Sequence, residues 1–317
     1  MSMSASASSP CDTPAAHYRV RHDTHYHYEA PVLLSRQLLH LSPRACPWQR
    51  CESHRITIHP APAERDERDD YFGNREVLFA LEAPHTELLV HAESVVAVSP
   101  HAPDPRRAQA PPWEAVRARL RSPPDAAALD ACQFLYESPL VRTSPGVLRF
   151  ARPVFTSDRP LLEAMVELTQ RIHEHFEFDP DATTVATPLE EVLAHGRGVC
   201  QDFAHLAIAC LRAHGLAARY VSGYLLTTPP PGQPRLVGAD ASHAWVSVFV
   251  PGLGWVDIDP TNNLLPDTQH VTVAWGRDFS DVSPLRGVIL GGDEHEVEVE
   301  VTVEPLRQPQ TAATDNG

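Results

Sequence analysis

His195-Gly196-Arg197-Gly198-Val199-Cys200-Gln201-Asp202-Phe203-Ala204-His205-Leu206-Ala207-Ile208-Ala209-Cys210-Leu211-Arg212-Ala213-His214-Gly215 is the stretch on which the reading of this chain turns. Gly196 and Gly198 free the approach from the steric limit on φ. From Cys200 onward, Phe203, Leu206, Ala207, Cys210 and Leu211 recur at i, i+3, i+4, i+7 and i+8, which predicts a helix with one buried face. Gly215 is placed to end it. Cys200 then lies in the first turn, where the positive end of the helix favours a thiolate and Asp202 complements the same pole. A thiolate is a strong nucleophile. Cys210, on the apolar stripe, reads as a packing thiol.

A nucleophilic Cys needs a base, and the base an orienting acceptor. Ser242-His243-Ala244-Trp245-Val246-Ser247-Val248-Phe249-Val250 reads as a strand opened by His243. Pro251-Gly252-Leu253 turns it into Gly254-Trp255-Val256-Asp257-Ile258-Asp259-Pro260. With a three-residue loop, Val250 faces Gly254 and Trp245 faces Asp259, so His243 is diagonal to Asp259 on one face, about 7–8 Å between backbones. A four-residue loop would put Asp259 on the opposite face. Pro260 cannot donate to a ladder, so Asp259 is expected where pairing ends. Asp257 has the same parity and is the competing acid; the alternation reads it as a solvated strand residue.

Upstream, Tyr18, Val20, His22, Thr24, Tyr26 and Tyr28 share one face of a strand within 17–30. Residues 55–59, 75–83 and 86–99 are further strands between turn signals. Together they predict a small antiparallel sandwich over 17–100. Seven prolines within 100–124 predict a linker over 101–124. Helical periodicity follows in 125–138 and 159–176, where Leu161, Met165, Leu168 and Ile172 form a stripe. Thr187-Pro188-Leu189-Glu190 reads as a helix start capped by Thr187. Period 2 returns in 218–226, 243–250 and 254–259. Acid–Val alternation in 295–306 reads as a strand closing a sheet. These residues are assigned to one core over 125–306, with disordered tails at 1–16 and 307–317.

Composition excludes several classes. The 317 residues carry a net charge of −15, which opposes binding to nucleic acid or anionic membranes. All 26 basic residues are Arg, so lysine Schiff-base and P-loop chemistry are impossible. No apolar run is long enough to span a membrane, and the N-terminus lacks the pattern of a signal peptide. A cytoplasmic protein with free thiols is therefore expected, Cys46 and Cys51 included. The absence of CxxC pairs argues against a zinc ribbon. His25 and His27 share a strand face without a third ligand at diagnostic spacing. Neither a metal nor a cofactor is expected.

The blocks Gly196–Ala204, Ser242–Trp245 and Gly254–Asn262, in that order, resemble the three signature blocks of the bacterial transglutaminase-like superfamily. Tyr26–Val32 and Asp70-Tyr71-Phe72-Gly73-Asn74 resemble the β-rich domain that precedes the core in many members. The likeness runs over roughly residues 17–305. It implies an α+β chain: a papain-like, transglutaminase-like cysteine proteinase core preceded by an antiparallel β-sandwich. It further implies Cys200 as nucleophile, His243 as base and Asp259 as its orienter. The expected activity is hydrolysis of peptide or amide bonds in a peptide or protein substrate through a thioester. Amine transfer and a catalytically silent binding module are the alternatives. Gln201, Tyr224 and Trp245 are candidate substrate contacts; Arg219, Tyr220 and Gly223 also match a stretch of the family.

Overall fold

The structure is a computed structural model that describes residues 14–227 and 241–306. The expected tails and Cys11 lie outside the described residues, except that residues 14–16 are described and Ala16 already opens β1 (Ala16–Leu39).

β1 is the axis of the N-terminal sheet. Its buried face carries Tyr18, Val20, His22, Thr24 and Tyr28, as the alternation predicts. Ala16–His27 pairs with β5 (His85–Val98), and Tyr18–Tyr28 pairs on its other side with β13 (His295–Pro305). The far half of β1 pairs with β4 (Arg75–Leu81) and β12 (Leu285–Gly291). β2 (Gln49–His59) extends the sheet beyond β5, and β3 (Glu64–Asp69) beyond β4. Pairing with β5 breaks between His27 and Val32, around Pro31, which has no N–H to give the ladder. The two halves fold over a common core that includes Tyr28, Val32, Leu39, Ile58, Val77, Phe79, Leu88 and Val90.

Two boundaries differ from expectation. Residues 285–305 belong to this sheet rather than to the 125–306 core, because the 24-residue β1 needs a partner along its free edge. The 101–124 linker contains a helix, α1 (Trp113–Arg121). Its prolines cluster on either side of 113–121, and Trp113, Val116 and Leu120 bury one helical face between them.

The remaining helices are α2 (Ala126–Ala131), α3 (Pro145–Ala151), α4 (Leu161–His175), α5 (Leu189–His195), α6 (Cys200–Ala213) and α7 (Phe279–Val282). All four stripe residues of α4 are fully buried. α5 starts at Leu189 with Pro188 as its cap, not at the expected Thr187, whose hydroxyl oxygen instead accepts from the Thr184 N–H. A short parallel pair, β6 (Glu177–Phe178) and β7 (Arg197–Gly198), precedes α6. The second sheet is antiparallel in the order β10-β9-β8-β11, from β8 (Ala218–Leu225), β9 (Ala241–Val250), β10 (Gly254–Ile258) and β11 (His270–Gly276).

α6 packs against β8 and β9 on one side and α3, α4 and α5 on the other. It is therefore buried from Asp202 to Arg212 on all faces, not on one stripe. The polar residues that suggested a wet face are satisfied internally. Arg212 donates to the carbonyls of Phe134, Ala218 and Arg277 and to Ser138. Burial pushes His205 down to about 4, so the ring is neutral and its Nε2 accepts from the Phe279 N–H. Gly215 (φ 74°) closes the helix: its N–H bonds Arg212 O and that of Leu216 bonds Leu211 O.

The two halves join along the edge strand β11. The Gln49 amide takes both the N–H and the C=O of Thr272, at 2.8 and 2.7 Å. The Asn74 amide does the same at Trp275, at 3.0 and 2.9 Å. Two side chains thus satisfy backbone groups that an edge strand would otherwise expose.

Candidate active site

Both glycines before Cys200 have separate tasks. Gly196 ends α5 at φ 67°, a left-handed conformation that favours glycine. Gly198 is needed for space: a Cβ there would lie 2.7 Å from Asp202 Oδ2. That carboxylate reaches back to accept from the Val199 N–H (2.9 Å) and the Thr183 hydroxyl (2.6 Å). Burial raises the Asp202 carboxyl above its ordinary range despite these bonds. Asp202 therefore caps α6, and Cys200 occupies the first helical position, partly exposed at the positive pole.

The β9–β10 hairpin has the three-residue loop: Gly254 faces Val250 and Ile258 faces Val246. Pairing stops at Ile258, and Asp259 instead bridges Leu264. This places His243 Nε2 at 2.8 Å from Asp259 Oδ2, with both side chains buried. Cys200 lies beside the ring, close enough to favour its charged form. Burial opposes charge on His243. The bonds to Asp259 and Cys200, and their negative charge, more than offset that and push it up to about 10. Burial likewise works against the Asp259 carboxylate, but its donors hold it far below the usual range.

Asp259 is held from every side. Oδ1 accepts from the N–H groups of Thr261 (3.0 Å) and Asn262 (3.2 Å). Oδ2 accepts from Asn262 Nδ2 (2.7 Å) and His270 Nε2 (3.1 Å) as well as from His243. Sequence reasoning did not single out His270. It opens β11, and His243 lies near the start of β9, but nothing linear says that the two strands aim at one carboxylate.

Other candidates fall elsewhere. Gln201 is partly exposed next to Cys200. Trp245 is fully buried. It donates to Asp257 Oδ2 (2.9 Å), and its ring flanks those of His243 and His270, so it shapes the imidazole pocket instead of meeting a substrate. Tyr224 is also buried, its hydroxyl 3.0 Å from His22 Nδ1 on β1. Asp257 is not solvated as the alternation suggested, because the indole N–H and the nearby charge of buried Arg219 hold it inside. Arg219 stacks between Trp255 and Trp275. Tyr220 is buried, and a Cβ on Gly223 would collide with Val271 O and the Trp245 ring. His25 and His27 do gain a third neighbour from β5, the exposed Glu87, at 4.0 and 3.8 Å. A cavity of about 820 Å³ is lined by neither Cys200 nor His243 but by residues of the seam such as Asp70, Glu76 and Arg277.

Comparison with known proteins places the family and the fold. Residues 18–97 match the bacterial transglutaminase-like N-terminal region, and residues 149–260 match the transglutaminase-like superfamily. An uncharacterized protein of Mycobacterium tuberculosis is 42% identical over 312 residues, covering 96% of this chain and 98% of that protein. A solved structure described as a "Putative Cysteine Protease from Cytophaga hutchinsonii" superposes with a TM-score of 0.71 at 19% identity, covering 94% and 93% of the two chains, which shows a shared fold. A protein-glutamine gamma-glutamyltransferase of Pseudomonas aeruginosa is 32% identical over 108 residues, 32% of this chain and 16% of that protein.

Proposed function

The chain belongs to the transglutaminase-like superfamily, and on that premise we propose that it is a cysteine-dependent acyl-transfer enzyme that hydrolyses peptide or amide bonds. Cys200 is the nucleophile, His243 the base and acid, and Asp259 the positioning carboxylate. The observation that carries this reading is a buried imidazole held at 2.8 Å by Asp259, with the Cys200 thiol of the α6 N-terminus beside it.

The Cys200 sulfur gives its proton to His243 and attacks the acyl carbonyl. The carbonyl oxygen becomes an oxyanion, to which the Cys200 N–H in the first turn of α6 is a donor. The His243 imidazolium gives its proton to the leaving amine, and a thioester remains. Water then attacks, His243 takes the proton, and the acid departs as the thiolate re-forms. Gln201, partly exposed beside the sulfur, is the substrate contact in this reading. The proposed compartment is the reducing cytoplasm; the five cysteines among the described residues are free thiols, and no helix among those residues is long and apolar enough to cross a membrane.

Amine transfer differs only in the second acceptor, and the 108-residue likeness to the Pseudomonas transferase favours it as the second reading. Incubating a cell lysate with wild type or Cys200→Ala, then profiling new peptide termini, tests the hydrolase. Termini released by wild type alone support it. Adding a primary amine to an acyl-donor peptide separates the two acceptors: an amide adduct outrunning the free acid selects the transferase. Iodoacetamide modifying Cys200 no faster than the other thiols would instead select the silent binding module.

A further inference from the structure

The motif Asp70-Tyr71-Phe72-Gly73-Asn74 plays no part in the acyl chemistry, yet it builds a second buried cluster. His40, just past β1, is 1% exposed. Its backbone N–H bonds Pro284 O (3.0 Å), and its Nδ1 lies 3.2 Å from Ser283 O. A carbonyl only accepts, so Nδ1 carries the proton. Nε2 points the other way and has no hydrogen-bond partner. It stands 3.6 Å from Asp70 Oδ2 and 3.6 Å from Glu76 Oε1, too far for hydrogen bonds to either.

Equal gaps of this size between a nitrogen and two carboxylate oxygens are the spacing of ligands around an ion. With metal–nitrogen and metal–oxygen distances of about 2.0–2.2 Å, a 3.6 Å separation subtends roughly 110–130° at the metal, near tetrahedral geometry. The three donor atoms all lie within 4.8 Å of one another. The surroundings already orient them. Asn74 donates its N–H to Asp70 Oδ1 and its amide to Asp70 Oδ2, both at 2.7 Å, and Arg68 donates to Glu76 Oε2 at 3.0 Å, leaving Oε1 free. Asp70 and Glu76 both line the 820 Å³ seam cavity, which gives an ion a route in and room for a water ligand. The other arginines of that cavity are engaged: Arg277 by Asp281, and Arg286 by Ser280 O.

We propose that His40, Asp70 and Glu76 form a site for a divalent transition-metal ion of the Zn²⁺ class, with the fourth position open to water. One imidazole with two carboxylates selects against Ca²⁺ and Mg²⁺, which take oxygen donors. The bound ion ties the end of β1 to the β3–β4 loop. Asn74 carries the link to Trp275 of β11, and His40 carries it to the α7–β12 turn. It is thus a structural cross-link at the seam between the halves, separate from the acyl chemistry.

The test uses the full chain without a polyhistidine tag, in a Cys200→Ala background so that the helix-terminal thiol takes no part. EDTA-treated protein is titrated with ZnCl₂, and binding is followed by calorimetry and melting midpoint. One equivalent of Zn²⁺ should bind and raise the midpoint. Adding Glu76→Gln should weaken that binding at least 10-fold and remove the shift, whereas His270→Gln should change neither. X-ray absorption of the zinc complex should show nitrogen and oxygen scatterers including imidazole, a readout that does not depend on any seam variant folding. Absence of Zn²⁺ binding at tens of micromolar, equal binding by Glu76→Gln, loss on His270→Gln, or a sulfur scatterer would each overturn the proposal.

Discussion

Among the described residues, two buried clusters set a histidine facing carboxylate oxygen, and a difference of less than 1 Å separates their chemistry. At Asp259 the imidazole nitrogens of His243 and His270 stand at 2.8 and 3.1 Å, and three further N–H groups complete the shell. Every facing atom there has a direct partner, so the cluster fixes a ring and stores negative charge beside it. At His40 the same atom types stand at 3.6 Å, with the nitrogen unpartnered. Close approach gives proton chemistry; the wider gap is the size of an ion. Composition alone does not separate the two.

The contrast can be broken in several ways. The largest effect is expected from Asp259→Asn, which keeps the shape but removes the charge that holds the imidazolium. Turnover on a substrate found by terminus profiling should fall about 10³–10⁴-fold. A fall of less than 10-fold would remove Asp259 from the mechanism.

The pH dependence of stability comes next. His243 is raised to about 10, so its contribution is complete below its unfolded value near 6.5 and fades as pH climbs toward 10. Asp259 is lowered, so its contribution is complete above about 4 and fades as pH falls further. The stability of wild type over Asp259→Asn should therefore be greatest at about pH 4–6.5, about 3 kcal/mol for a buried pair, and shrink by pH 9. Denaturant titrations at pH 5.5, 7.5 and 9 would show it; a flat difference contradicts the ion pair.

His270→Gln removes one charge-assisted bond, worth about 1.5–3 kcal/mol. It should lower turnover about 10-fold and bring the His243 titration to lower pH, which NMR of the imidazole can follow. Gly198→Ala should cost about 1–3 kcal/mol, because Asp202 is held by Val199 and Thr183 and cannot give way. Asn74→Ala sharpens the other side: it leaves the Trp275 backbone groups unpaired and should cost about 1–3 kcal/mol in a thermal melt.

Much of the site was legible from local pattern. The i, i+3, i+4 spacing after Cys200 set α6, and Pro251-Gly252-Leu253 fixed the parity that brings His243 to Asp259. What escaped depends on contacts between distant segments. His270 reaches Asp259 from a separate strand. Trp245 and Tyr224 looked like cleft aromatics until the layers that bury them were in place. Asp257 looked wet because alternation cannot reveal a buried indole donor. Strand β13 carries a readable period, but period does not say which edge it joins.

The sequence by itself determined many of the elements, the α6 start and the hairpin register, because helix capping, turn length and strand parity act within about a dozen residues. Only the tertiary structure decided that β1 recruits the last two strands, that Gln49 and Asn74 close the edge of β11, and that His40 faces Asp70 and Glu76 at an ion's spacing. Those outcomes depend on which unsatisfied donors and acceptors meet once the layers pack, and backbone bonds across hundreds of residues leave no period in the chain.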